Sequence, residues 1–210
     1  MHCFMVRLYL VRHGRTEWNE LGKYQGQSDI ALSPIGEEQA KRLAEHFPAK
    51  KLDAVYASDL KRAYSTAEGV AKRYGLVPQK ETAFRELDFG DWEGSTYKDI
   101  MDKWPDEGAN FFGAPEKLQI PNGESFTMLQ ERAMARLNEI ITMSDVMGHE
   151  SIAIFAHGAI IKTMLATLMH IPLHYLWAIQ QGNTAVNVIN FDAGYVGIEL
   201  INSTEHLRMR

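Results

Sequence analysis

Two short apolar runs in this chain end in the same dipeptide. Leu8-Tyr9-Leu10-Val11 passes through Arg12 into His13-Gly14, and Ile152-Ala153-Ile154-Phe155-Ala156 passes into His157-Gly158. An uninterrupted apolar run of this length, stopped by a loop signal, reads as a strand buried on both faces. Ala54-Val55-Tyr56-Ala57 is a third such run. Amphipathic stretches separate them. Ser33-Pro34 opens a helix to about Phe47, with Ala40, Leu43, Ala44 and Phe47 on one face. A second helix, capped by Ser58 or Asp59, carries Leu60, Ala63, Ala67, Val70 and Ala71 on its apolar face and stops near Tyr74-Gly75. Gly123-Glu124-Ser125 opens a long third helix, and a fourth runs from Gly158 to about Met169. Residues 185–191 and 194–201 read as a closing hairpin. Strands alternating with helices imply an α/β fold, a three-layer α/β/α sandwich with a mostly parallel sheet. The 210 residues then form a single domain. Residues 88–122 differ in character, being rich in Gly, Pro, Asp and aromatics, with one short helix expected near 97–104. They read as an insertion or lid whose aromatics need a surface to pack against.

Composition narrows the function classes. The chain has 22 Lys+Arg against 27 Asp+Glu, a formal charge of -5, which offers no electrostatic footprint for nucleic acid or an anionic membrane. Any phosphate must be held by a few placed cations. Cys3 is the one cysteine, which excludes an internal disulfide or a Cys-cluster zinc site; it reads as a small apolar residue. The span 152–171 is broken by His157, Gly158, Lys162 and His170, and no basic region precedes the first apolar stretch. A cytoplasmic protein with no membrane partner is expected, as monomer or homodimer.

If the two His-Gly strands lie parallel and adjacent, both imidazoles emerge at one carboxyl edge, where sites lie in such sheets. Glycine after each histidine lets the chain turn sharply and a ligand approach closely. Arg62, in the first turn of the helix after strand 54–57, leans back over the same edge, and Arg12 adjoins His13. Two guanidinium forks and two imidazoles around one small space suit a tetrahedral oxyanion. His170 and His174 have helical spacing, but Pro172 lies between them and no acidic ligand accompanies them, so no metal site is expected.

Arg12-His13-Gly14, Ser58-Asp59-Leu60-Lys61-Arg62-Ala63 with Thr66-Ala67, Glu86, Gly123-Glu124-Ser125 and Ala156-His157-Gly158, in this order, resemble the histidine phosphatase superfamily, also called phosphoglycerate mutase-like. The resemblance runs from about residue 7 to 200. It implies that His13 is the nucleophile that becomes phosphohistidine, that Arg12, Arg62 and His157 complete the phosphate pocket, and that Glu86 donates a proton to the leaving group. It implies contacts to phosphate or substrate from Asn19 and Gln25, with Gly158 and Arg85 as further substrate-binding candidates. No cofactor is implied, since the clamp is borne by the protein, and the partner expected is a small phosphorylated metabolite. Arg85-Glu86-Leu87-Asp88-Phe89-Gly90-Asp91-Trp92-Glu93-Gly94 is similar to the phosphatase branch. Its insertion holds only Lys98, Lys103 and Lys117 as cations, too few for the second anionic group a mutase must grip. Within that branch the pattern is similar to α-ribazole phosphatases of cobalamin synthesis, and Trp92, Tyr97, Trp104, Phe111 and Phe112 are candidates to line a pocket for an aromatic base. Mutase-type transfer and a broad-specificity or protein-directed phosphatase stay open as alternatives.

Overall fold

The structure, a computed structural model, describes residues 5–209; Cys3 lies outside them. Six strands form one sheet: β1 (Met5–Arg12), β2 (Ala54–Ala57), β3 (Gln79–Lys80), β4 (Ser151–Ala156), β5 (Val186–Asp192) and β6 (Tyr195–Ser203). Their order is β3-β2-β4-β1-β5-β6. β1, β2, β3 and β4 are parallel, β5 runs antiparallel to β1, and the β5–β6 hairpin turns at Ala193-Gly194.

Side-chain alternation splits each central strand between two cores. Val6, Leu8 and Leu10 of β1 face one side, and Tyr9 and Val11 face the other. On the second side lie α2 (Pro34–Glu45) and α3 (Lys61–Arg73), supplying Leu43, Ala67, Val70 and Ala71. On the first lie α6 (Phe126–Met147) and α7 (Gly158–Leu168), supplying Phe126, Leu129, Leu137, Ile161 and Leu165. Ser33 caps α2 and Ser125 caps α6, and Gly148 ends α6 in the left-handed region.

Three details differ from the sequence reading. A four-residue helix, α1 (Glu17–Glu20), follows the first His-Gly. The insertion holds two helices, α4 (Tyr97–Lys103) and α5 (Pro105–Gly113), because Pro105 stops one and starts the next. And α3 is capped by neither Ser58 nor Asp59: Leu60 occupies the cap position with no side-chain bond.

The insertion is built into the main core. Phe89, Trp92, Ile100, Phe111, Leu118 and Ile120 belong to the same apolar cluster as the first face of the sheet. Tyr24 and Phe111 meet edge to face with centroids 5.2 Å apart, and Phe111 packs on Trp177 at 4.5 Å. Most aromatics of 88–122 therefore serve packing, and of the five proposed to receive a base only Tyr97 lines the pocket described below.

Candidate active site

The β1–β4 register pairs Arg12 with Ala156, so His13 and His157 leave the sheet side by side. The His13 N–H donates to Ala156 O at 3.0 Å, and the two imidazole centroids are 5.2 Å apart. Both rings are buried, at 3% and 0% exposure.

The ring nitrogens of His13 have distinct roles. Nδ1 lies 2.6 Å from Gly14 O, which can only accept, so Nδ1 carries the proton. Nε2 is left with a free lone pair. Burial, then Arg62 and Arg12, holds the His13 pKa well below the ordinary imidazole value, so the ring is neutral and nucleophilic at pH 7.

His157 is constrained differently. Arg62 Nε donates to its Nδ1 at 3.0 Å, which puts the proton on Nε2, and Nε2 donates to Ser58 Oγ at 2.8 Å. Burial, then Arg62 and His13, keeps this ring neutral too. Both nitrogens of His157, expected to complete the phosphate pocket, are taken by protein partners. The same bond explains the missing α3 cap. Ser58 serves His157, and Asp59 takes Arg85 Nε at 2.8 Å and Nη2 at 2.6 Å.

Arg62 is fully buried as the second residue of α3, and burial lowers its pKa to about 10. Its Nη1 donates to Ser28 O at 2.8 Å and its Nη2 to Gly26 O at 2.7 Å. One N–H on each Nη remains free for an anion. Arg12 Nη1 donates to Gln181 O at 2.6 Å, while its buried Nε has no partner among the described residues. Neither guanidinium has a carboxylate within ion-pair distance among those residues. Two such cations at one strand edge call for an anion from outside.

Glu86 is 8% exposed and sits at the N-terminus of α7. Its Oε1 accepts from Leu87 N at 2.9 Å and Ile160 N at 3.1 Å, and its Oε2 from Ala159 N at 3.0 Å. Oε1 has both lone pairs occupied, whereas Oε2 keeps one, where a transferable proton can reside. Arg132, which the sequence reading missed, anchors this segment. It donates to Ala83 O, Arg85 O and Glu86 O, and it pairs with both oxygens of Glu124. Its one signal was its place in the first turns of the long helix that opens just after Glu124.

A cavity of about 290 Å³ opens on this cluster, lined by Arg12, His13, Arg62, Glu86, Asn19 and Gln25, with Lys23, Tyr24, Phe89 and Tyr97 farther along the wall. Asn19 and Gln25, the candidates for phosphate or substrate contact, line the cavity. Thr16 Oγ1 donates to Gln25 Oε1, and Asn19 Oδ1 accepts from Thr16 N and from Asn183 Nδ2, leaving the Asn19 NH2 to donate. Arg85 and Gly158 do not line the cavity. Arg85 is held by Asp59, and Gly158 abuts Arg12, whose Nε lies 3.5 Å from where a Cβ would stand. Gly158 could carry a Cβ in ordinary contact with Arg12, whereas Gly14 makes room for the protein itself. A Cβ on Gly14 would come within 2.7 Å of Gly36 O, and neither residue is in the left-handed region. Among the described residues no three His, Cys, Asp or Glu side chains are grouped to hold a metal ion, and no helix is long and apolar enough to cross a membrane.

A family model of the histidine phosphatase superfamily, branch 1, matches residues 8–204. The chain belongs to that superfamily. It is 32% identical over 203 residues to phosphoserine phosphatase 1 of Hydrogenobacter thermophilus, covering 97% of this chain and 95% of the relative. YhfR of Bacillus stearothermophilus superposes with a TM-score of 0.90 at 32% identity, over 96% of this chain and 99% of that one. The α-ribazole phosphatase of Shigella flexneri gives 0.84 at 26% identity, over 95% and 97%. The three-layer phosphoglycerate mutase-like fold expected from the sequence is the fold of this superfamily, and the chain is a phosphatase.

Proposed function

We propose that this phosphatase hydrolyses a small phosphorylated metabolite by two successive displacements at His13. One observation carries the reading: a neutral, buried imidazole with its Nε2 lone pair free shares a cavity with two guanidinium groups that have no carboxylate within ion-pair distance among the described residues. The phosphoryl group binds with its non-bridging oxygens on Arg12, Arg62 and the Asn19 amide. His13 Nε2 attacks phosphorus in line with the ester oxygen, the P–O bond breaks, and the Glu86 proton passes to the departing alkoxide. Water, deprotonated by the Glu86 carboxylate, then takes the phosphoryl group from His13. The fixed cations stabilise the charge on the equatorial oxygens in both steps without reorganising.

The leaving group lies against Tyr24, Phe89 and Tyr97. α-Ribazole 5′-phosphate is the substrate that the sequence pattern favours, supported by the likeness to the Shigella protein. The higher identity to a phosphoserine phosphatase, and Lys23 as a further cation on the wall, support phosphoserine as a second reading. A hydrolysis panel of α-ribazole 5′-phosphate, phosphoserine, phosphoglycerates, sugar phosphates, nucleotides and a phosphotyrosine peptide tests the substrate. Comparable rates across it would overturn both specific assignments. The chemistry is tested by trapping the phosphoenzyme. An acid-labile, alkali-stable phosphoryl group on His13 is expected, formed equally after treatment with EDTA; a label on serine, aspartate or His157 would refute the mechanism.

A further inference from the structure

We propose that Glu93 is a positioning residue for Arg62, acting through the backbone of residues 26–28. Glu93 does not line the cavity. It follows the 3₁₀ turn Gly90–Trp92 in the insertion and is partly buried. Its Oε1 accepts from Gln27 N at 2.7 Å; its Oε2 accepts from Ser28 N at 2.9 Å and from Ser28 Oγ. Arg62 grips the same segment from the opposite side, through Gly26 O and Ser28 O.

The peptide group between Gly26 and Gln27 is shared. Its N–H donates to the Glu93 carboxylate, and its C=O accepts from the Arg62 guanidinium. A peptide held between an anion at its N–H and a cation at its C=O is polarised by both, which strengthens each bond. Glu93 also acts on Arg62 directly through charge, with Glu86 and Asp29 adding to it and Arg12 opposing. Gly26 makes the arrangement possible. Its φ is +51°, and a Cβ there would fall 1.9 Å from Glu93 Oε1. The consequence for Arg62 is orientational. With Nε fixed by His157 and each Nη fixed by one carbonyl, the two remaining N–H bonds have a single direction. Glu93 holds the carbonyls that set it, and so ties the insertion to the phosphate site.

This rests on Arg62 binding phosphate, as proposed above, and a double-mutant cycle tests it separately from turnover. Glu93→Gln, Arg62→Ala and the pair are compared by calorimetric affinity for inorganic phosphate and by kcat/KM for p-nitrophenyl phosphate, with thermal unfolding as the control for fold. Glu93→Gln is expected to weaken phosphate binding and lower kcat/KM by about tenfold or more when Arg62 is present, the order of coupling seen between groups in one hydrogen-bond network. In the Arg62→Ala background it should change neither by more than about twofold. Equal losses in both backgrounds, or none in a folded Glu93→Gln protein, would overturn the proposal. Ser28→Ala, which deletes only the hydroxyl contact, should show a smaller loss with the same dependence on Arg62. Should Glu93→Gln not fold, an unchanged Ser28→Ala protein would overturn it. A wild-type protein that binds phosphate but hydrolyses no ester would refute the hydrolytic reading and leave the binding cycle intact.

Discussion

Replacing Glu86 by Gln removes the transferable proton while keeping the shape of the side chain and one of its oxygens. The side chain accepts three backbone N–H groups, two on Oε1 and one on Oε2. Glutamine keeps one oxygen. Turned so that this oxygen serves Leu87 and Ile160, its NH2 faces the Ala159 N–H, and one buried donor loses its acceptor. That costs about 1–3 kcal/mol of stability, read as a lower unfolding temperature. The catalytic cost is distinct. Loss of a general acid slows an alkoxide-releasing reaction by about 10²–10⁴-fold, or about 3–5 kcal/mol of barrier. The assay compares kcat/KM for an alkyl phosphate with that for p-nitrophenyl phosphate, whose phenolate leaves without a proton. The alkyl ester should suffer at least about 10²-fold and the aryl ester far less. Equal losses on both, small or large, would refute proton donation by Glu86, since misplacement of α7 would affect every ester alike.

Three further outcomes follow from the geometry. His13→Ala should abolish the phosphoenzyme while leaving phosphate binding measurable by calorimetry; a labelled phosphoryl group surviving in that variant would refute the nucleophile. The pKa of both site histidines is lowered, so the unfolded chain binds more protons than the folded one as pH falls through about 6.5. Stability should therefore drop from pH 7 to pH 5, and a chemical-denaturation series should show a shallower drop in His157→Gln. Lys162 lies over the Trp177 ring at 4.6 Å, and burial, then Arg12, lowers its pKa to about 8. Between about pH 8 and the ordinary lysine value the unfolded chain binds the extra proton, so stability rises with pH there. Lys162→Met should raise the unfolding temperature at pH 7 and remove that rise; an unchanged difference between pH 7 and pH 10 would refute it.

The sequence by itself determined the parts that depend on local pattern. The apolar runs fixed β1, β2 and β4, serine caps fixed the starts of α2 and α6, and the repeated His-Gly located the edge on which the cavity opens. The long-range partners were beyond it. Periodicity shows that Arg62 lies in the first turn of α3, but not that it is gripped by Gly26 and Ser28, because those carbonyls arrive by a loop with no pattern of its own. The resemblance made Trp92 and Phe111 candidates for an aromatic pocket, while the insertion's composition called for a surface to pack against; both rings are drawn into the core, where burying large rings outweighs lining a small polar cavity. Local capping preference assigned Ser58 and Asp59 to α3. The tertiary structure spends them on His157 and Arg85, since a buried imidazole and an ion-paired guanidinium need specific partners more than one helix end needs a cap. Glu93 and Arg132 reach the site through backbone atoms of other segments, and Gln181 holds the Arg12 side chain with its own carbonyl. Such contacts carry no residue-type signature at the backbone position, so only the folded chain reveals them.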